Sequence, residues 1–435
     1  MSAAQQTAPA PGTVRAVLGR YARLLDRPLT SYLLVLGTTV LLTVLGLVMV
    51  MSASSVTSFS ASGSSFAIAQ KQAMWVALGL PLLWIGSRLP PRVYRLLAYP
   101  LLLASFVLLA LTLVPGIGVE VRGNRNWIDF GGPFRLQPSE LAKLALVLWG
   151  ADLLARKRRL LTQWKHLLVP LLPVSAVAVG LVLLEGDLGT VLVLLAIVFA
   201  LLWVVGAPLR LFSGLAVAVG GVLVLLVRDN PERVSRVTSF LDPFADYENS
   251  GWQAAHSFFA LASGGWWGLG LGGSREKWGS LPEAHTDFIF AIIGEELGLV
   301  GTLAVLVLFA TMSYAGVRIA SRTTDPFVRL AAGAATAWFL VQAMVNMGAV
   351  LGVLPITGIP LPLVSYGGSS LLPTLLALGM LLSFARAEPG ARAAMARRPP
   401  GPLRRTAARL RPSRPAPSPA VGARSRPTAG ANRGS

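Results

Sequence analysis

Apolar residues are gathered in ten long runs, separated by short polar or basic segments. The runs lie near Thr30–Ala53, Met74–Ser87, Tyr94–Val114, Pro138–Ala155, His166–Leu184, Asp187–Val205, Leu209–Val227, Thr286–Gly316, Pro326–Leu354 and Gly368–Ala385. Crossing the hydrocarbon core takes roughly 17–25 helical residues, and longer runs tilt. Met74–Ser87 is the shortest. Backbone polar groups in lipid are satisfied only in helices or closed barrels, and runs of this length exclude a barrel. The pattern predicts an all-α polytopic membrane protein with ten transmembrane helices.

The polar segments give the orientation. Arg15, Arg20, Arg23 and Arg27 precede the first run; Arg88, Arg92, Arg95, Arg156–Arg159, Lys165, Arg210, Arg318, Arg322 and Arg329 follow in alternate loops, and the C-terminal tail is rich in arginine. Basic loops stay cytoplasmic, which predicts that both termini are cytoplasmic and that two long extracytoplasmic loops span about 115–137 and 228–286. The net charge of +19 therefore follows topology and does not point to nucleic acid. At 54% hydrophobic and 13% charged residues, with mean hydropathy +0.64, the chain has the composition of a membrane protein. It has no cysteine, which excludes disulfides, thiol nucleophiles and cysteine metal sites. The first run is too long for a signal-peptide core and reads as a retained anchor. The expected organisation is a basic cytoplasmic tail (1–29), one membrane domain (30–386) and a disordered Pro/Arg-rich cytoplasmic tail (387–435).

Candidate chemistry lies on the outer side. Asp287, in Leu281-Pro-Glu-Ala-His-Thr-Asp-Phe-Ile-Phe290, is a carboxylate at a membrane boundary beside Glu283 and His285, with Glu295 and Glu296 further along the same helix. Desolvating such a group is costly, which marks a functional candidate. It can serve as a general base, or hold a divalent cation such as Mg²⁺ or Mn²⁺ against a diphosphate; a structural ion pair is the plain alternative. The first loop, with Arg122, Arg125, Arg135 and then Glu140 and Lys143, suits an anionic ligand. Glu140 and Lys143, three apart on one helix, can instead pair with each other. The second loop brings Arg233, Lys277 and a Gly-rich stretch, Gly264-Gly-Trp-Trp-Gly-Leu-Gly-Leu-Gly-Gly273. Its glycines allow close approach to a ligand or, equally, close helix packing. His285 lacks a histidine partner at metal-ligand spacing. Leu354–Ser370 breaks helix at membrane depth, where such backbone must be buried or line a cavity, and offers Ser365, Tyr366 and Ser369 as hydrogen-bonding groups for a sugar or phosphate.

Leu281–Gly298, Asn346–Ser370, Gly123–Lys143 and Glu185–Thr190 resemble the SEDS family of bacterial cell-wall polymerases over nearly all of residues 30–386. Ala284, Ser52–Ser55 and the long tail resemble its division branch more than its elongation branch. The resemblance implies a peptidoglycan glycosyltransferase that polymerises lipid II at the outer face of the cytoplasmic membrane during septal wall synthesis. The resemblance implies no organic cofactor for such an enzyme. Its partners would be a class B penicillin-binding transpeptidase, other divisome membrane proteins and cytoplasmic division proteins meeting the tail. The family's essential aspartate corresponds to Asp287, and its loop arginine and lysine to Arg125 and Lys143. Glu140, Arg233, Lys277, His285, Ser365 and Ser369 complete the expected substrate contacts. Asn126 stands where arginine is common in the family, and Gly186 where proline is common. The competing expectations are a lipid II flippase, with Glu295, Glu296, Asp187 and Lys143 forming a polar path, and an elongation-type polymerase.

Overall fold

The computed structural model describes residues 27–121, 124–132, 134–160, 164–228, 234–235, 238, 240–249 and 251–396. It is mostly helical: α1 (Thr30–Ser62), α2 (Ala67–Arg88), α3 (Pro91–Thr112), α4 (Pro138–Arg156), α5 (Leu171–Leu184), α6 (Leu188–Val205), α7 (Leu209–Arg228), α8 (Trp252–Gly264), α9 (Ile289–Arg322), α10 (Pro326–Val350) and α11 (Gly368–Ala387). Six of these, α1, α3, α6, α9, α10 and α11, are long and apolar enough to cross a membrane. The protein is a multi-pass membrane protein.

The loop between α3 and α4 corrects the all-α expectation. It folds as a three-stranded antiparallel sheet of β1 (Gly118–Val121), β2 (Asn124–Asp129) and β3 (Arg135–Leu136), in the order β1-β2-β3. Val119 pairs with Trp127, and Ile128 with Leu136. Asn126 and Ile128 are buried on one face of β2, the alternation a strand requires. The strands are short, and their glycines and arginines read as a ligand loop. At the β2–β3 turn the Asp129 carboxylate accepts from Gly131 N (2.8 Å) and Arg135 Nε (3.0 Å), and these two bonds hold its pKa below the usual carboxylate range.

Three boundaries also move. The second helix begins seven residues earlier than the apolar run, because the polar Gln72 is buried inside the protein and bonded to backbone, donating to Ser365 O and accepting from Gly367 N (both 3.3 Å). α9 is interrupted at Gly298, whose φ of 67° lies outside the helical region. At the C-terminal end a further helix, Pro389–Ala396, continues beyond 387, and Ala391 is fully buried. Folded structure therefore extends into the segment expected to be disordered; the rest of that tail, and residues 1–26, lie outside the described residues.

Polar groups sort to the two ends of the bundle. At one end Arg318 Nε donates to Ser31 Oγ (2.9 Å), Arg95 pairs with Asp325, and Arg386 donates to Ser87 O (3.1 Å). The opposite end carries the sheet, the α5–α6 turn, the segment leading into α9 and the segment 351–367 before α11, the reentrant segment. Between them the helices approach closely where residues are small. A Cβ on Gly379 of α11 would lie 2.6 Å from Leu83 O of α2, so this contact requires glycine.

Candidate functional site

Asp287 occupies the last turn before α9 and is half-buried. Three consecutive carbonyls of that turn are bound to the C-terminal part of the fold. His285 O accepts from Tyr366 N (3.0 Å), Thr286 O from Ser365 Oγ (2.6 Å), and Asp287 O from Asn346 Nδ2 (2.8 Å). Ser365 Oγ also accepts from Leu361 N (2.8 Å). Glu283 holds a positive φ of 56°, and its Oε2 accepts from Thr286 Oγ1 (2.5 Å). Gly358 (φ 71°) lies over the carboxylate: a Cβ there would stand 3.6 Å from Asp287 Oδ2. The acid is thus presented on a backbone fixed by three bonds from two elements.

Asn346 Nδ2 also donates to Ile359 O (2.8 Å). One helical turn earlier on α10, Gln342 Nε2 donates to Pro360 O (2.9 Å), while its Oε1 accepts from Trp338 Nε1 (2.8 Å) and Lys143 Nζ (2.9 Å). Trp338, Gln342 and Asn346 repeat every four residues and so share one face of α10. Lys143 is fully buried, donates to Glu140 Oε1 (2.8 Å) and lies 5.3 Å from the Trp338 ring centroid. Two amides therefore connect the Lys143–Glu140 pair of α4 to the backbone that carries Asp287. Neither amide was singled out in the sequence; the available signal was two amides, four apart, inside an apolar helix.

The other expected residues divide. Arg125, on β2, is half-exposed, and its Nη2 lies 3.8 Å from a Glu120 carboxylate oxygen. Arg135 acts electrostatically on Tyr366, opposing the upward pKa shift that burial imposes on that phenol, so β3 reaches the reentrant segment. His285 stacks obliquely with Tyr366 at 5.6 Å. Ser369 is buried in the first turn of α11. Ser365 Oγ donates to Thr286 O and accepts from Leu361 N, so it ties its own segment to the turn that carries Asp287. Arg233 lies outside the described residues.

Lys277 is held by internal partners. Its Nζ is buried against Gly272 O (2.7 Å), Glu296 Oε1 (3.1 Å) and Ser52 Oγ (3.4 Å), so all three of its donors have protein acceptors. Glu296 accepts from Ser52 Oγ at 2.7 Å, and Glu295 from Ser274 Oγ (2.5 Å) and Arg275 N (2.7 Å). The glycines beside Lys277 approach protein backbone. A Cβ on Gly268 would meet Glu296 O at 2.1 Å, and Leu269 N and Gly270 N donate to Glu295 O and Glu296 O (2.9 and 3.0 Å). Across the break at Gly298, Leu299 N donates to Gly265 O (2.9 Å). This stretch replaces the helical bonds that α9 loses. Glu295 and Glu296 are thereby tied to the 264–275 stretch, and Asp187 caps α6 through Thr190 N (2.8 Å).

The α5–α6 turn adjoins the Lys143 pair. Gln137 Nε2 donates to Asp187 Oδ2 (3.0 Å), and Glu185 accepts from Thr112 Oγ1 (2.5 Å). Burial, reinforced by the Asp187 charge and opposed by the Thr112 bond, pushes Glu185 up to about 8. Gly186 has φ 88°, which proline cannot adopt, so this chain shapes the turn through glycine.

A family described as "Cell cycle protein", FtsW/RodA/SpoVE, matches residues 32–389. The chain belongs to this family. It is 46% identical over 386 residues to the probable peptidoglycan glycosyltransferase FtsW of Mycobacterium tuberculosis, covering 88% of this chain and 73% of that protein. It is 38% identical over 354 residues to stage V sporulation protein E of Bacillus subtilis, covering 81% and 96%. Among solved structures, one of a peptidoglycan synthase complex that coordinates polymerization and crosslinking is similar at TM-score 0.66 and 32% identity, covering 82% of this chain and 97% of that one. Thermus thermophilus RodA, a rod shape determining protein, is similar at TM-score 0.61 and 32% identity, covering 82% and 96%. The FtsW/RodA/SpoVE match contains every described residue of the network from Lys143 to Asp287.

Proposed function

We propose that this protein is a peptidoglycan glycosyltransferase that polymerises lipid II at the outer face of the cytoplasmic membrane during septal wall synthesis. The observation that carries the reading is Asp287, whose turn is held through three consecutive carbonyls and linked by Asn346 and Gln342 to a buried lysine–glutamate pair, in a chain that is 46% identical to a probable peptidoglycan glycosyltransferase. The topology that fits has ten membrane crossings and both termini in the cytoplasm. Clustering of basic residues at the bundle end opposite Asp287 supports it.

In the reaction, the 4-hydroxyl oxygen of an acceptor sugar bonds to the anomeric carbon of the donor as that carbon's bond to the isoprenoid diphosphate breaks, with inversion. The hydroxyl proton passes to the Asp287 carboxylate, and the electron pair leaves on the diphosphate. Arg125 offers that diphosphate a bidentate fork, and Lys143 supplies positive charge behind it. His285 and Ser369 flank the acceptor side. Among the described residues no group of three or more His, Asp or Glu is gathered for a metal, so a Mg²⁺ or Mn²⁺ at Asp287 would take its remaining ligands from the diphosphate and water. No step here runs through a metal. The partners that fit are a class B penicillin-binding transpeptidase, other divisome membrane proteins and cytoplasmic division proteins meeting the tail.

The test is lipid II polymerisation by purified Asp287→Asn protein. Loss of at least about 10²-fold is expected of a group that takes the proton, with unchanged thermal unfolding. Activity above about a tenth of wild type would remove Asp287 from that role.

A further inference from the structure

Five large apolar side chains protrude from the segment that repairs the break in α9. Trp266, Trp267 and Trp278 are 70%, 81% and 72% exposed, and Leu269 and Leu271 are exposed beside them. The backbone beneath is fixed. Trp266 O accepts from Val300 N (3.3 Å), Leu269 N donates to Glu295 O (2.9 Å), and Lys277 is buried against Glu296 and Ser52. A rigid platform therefore projects these side chains, at the entropic cost of exposing three indoles.

Two independent helices measure the height of that platform. Both start from the bundle end where Arg318 meets Ser31. Along α1, at about 1.5 Å per residue, Ser52 lies about 33 Å from Thr30. Along α9, Gly298 lies about 36 Å from Arg322 on the same scale. The hydrocarbon core is about 30 Å thick. Ser52 and Gly298, which the platform contacts directly, thus both lie at the far edge of one bilayer core. Indole prefers that boundary, since its ring is apolar and its N–H seeks water or headgroups.

We infer that residues Trp266–Trp278 form a foot that rests in the interfacial layer of the outer leaflet, with Trp266, Trp267 and Trp278 as its lipid contacts. The occupant is the lipid headgroup and upper acyl-chain region. The foot seats the second long loop on the membrane surface and, through the Glu295 and Glu296 carbonyls, sets the depth of the α9 start that follows Asp287.

The full chain in nanodiscs tests this. Tryptophan emission is recorded for wild type and for Trp266→Phe/Trp267→Phe/Trp278→Phe, and the difference isolates the three indoles. The probes are phosphatidylcholine brominated near the glycerol end of its acyl chains, the same lipid brominated near the methyl end, and aqueous iodide. The expected result is loss of most of the difference emission with the glycerol-end lipid and a smaller loss with the methyl-end lipid. Strong iodide quenching with neither bromolipid effective would overturn the inference and assign the face to water or a protein partner. If the triple variant fails to fold, Trp267→Phe alone gives the same readout from the most exposed ring.

Discussion

Two buried lysine–glutamate pairs, Lys277–Glu296 and Lys143–Glu140, are built to opposite specifications. In the Lys277–Glu296 cluster every polar atom has a protein partner: three acceptors for the ammonium, and Ser52, Ser274 and Arg275 for the two carboxylates. In the Lys143–Glu140 cluster, among the described residues, Glu140 Oε2 and the nearby oxygens Asn346 Oδ1, Glu185 Oε2 and Ser139 Oγ have no hydrogen-bond partner. A buried polar atom without a partner costs about 1–3 kcal/mol. The first cluster is complete as it stands and holds a loop to a broken helix. The second retains unused hydrogen-bonding capacity beside the proposed base. Saturation, and not charge, separates the structural pair from the one suited to a ligand.

Removing each lysine sharpens this contrast most. Lys143→Met is expected to lower polymerisation about 10²-fold, on the scale of losing an electrostatic contact to a developing charge. Lys277→Met is expected to leave the activity of the folded protein within a few-fold but to destabilise it by about 3–5 kcal/mol, since Glu296 stays buried and unpaired. Thermal unfolding and lipid II turnover on the same samples check both; equal activity losses would erase the distinction. Lys277→Met/Glu296→Leu should recover most of the stability, because apolar replacement of a buried pair is commonly neutral.

Next in size is the amide face of α10. Asn346→Leu frees the Asp287 and Ile359 carbonyls and is expected to lower kcat about tenfold with little change in the KM for lipid II. Gln342→Met loosens Lys143 and should act mainly on KM. A misplaced reacting group loses rate in this way even when it is itself intact. Steady-state polymerisation kinetics separate the two, and identical profiles would mean that the ladder only supports folding.

A smaller effect concerns pH. Folded Glu185 keeps its proton up to about 8, whereas the unfolded chain releases it near 4.5. Its contribution to stability is therefore full below about 4.5 and falls as pH rises to about 8. Glu185→Gln should flatten that decline in thermal unfolding measured across the window. Smallest of all is removal of the chain after Ala396: polymerisation by the purified protein should be unchanged, because the proposed site and the proposed cytoplasmic tail are separated by a core of about 30 Å. A collapse of activity with folding intact would join the tail to the catalytic end.

Much of this was legible in the chain itself. Apolar runs marked the helical segments because lipid demands continuous apolar helix, and Asp287 stood out because a carboxylate at such a boundary needs a reason. Asn346–Ser370 and Leu281–Gly298 carried the family resemblance as local strings. What the sequence could not supply was partnership. Lys143 and Lys277 are each a lysine near a glutamate at the edge of an apolar segment; only the fold shows that Lys277 meets three internal acceptors while Lys143 meets two, in a cluster that retains unpartnered oxygens. The glycines of Gly264–Gly273 permit close approach to anything, and tertiary contact made the approached object the backbone of α9. Gln342 and Asn346 were two amides among apolar neighbours until the reentrant segment brought the Ile359 and Pro360 carbonyls to them. Periodicity and hydropathy are properties of consecutive residues and survive in one dimension. Hydrogen-bond saturation depends on atoms distant in the chain, so only the tertiary structure decided it.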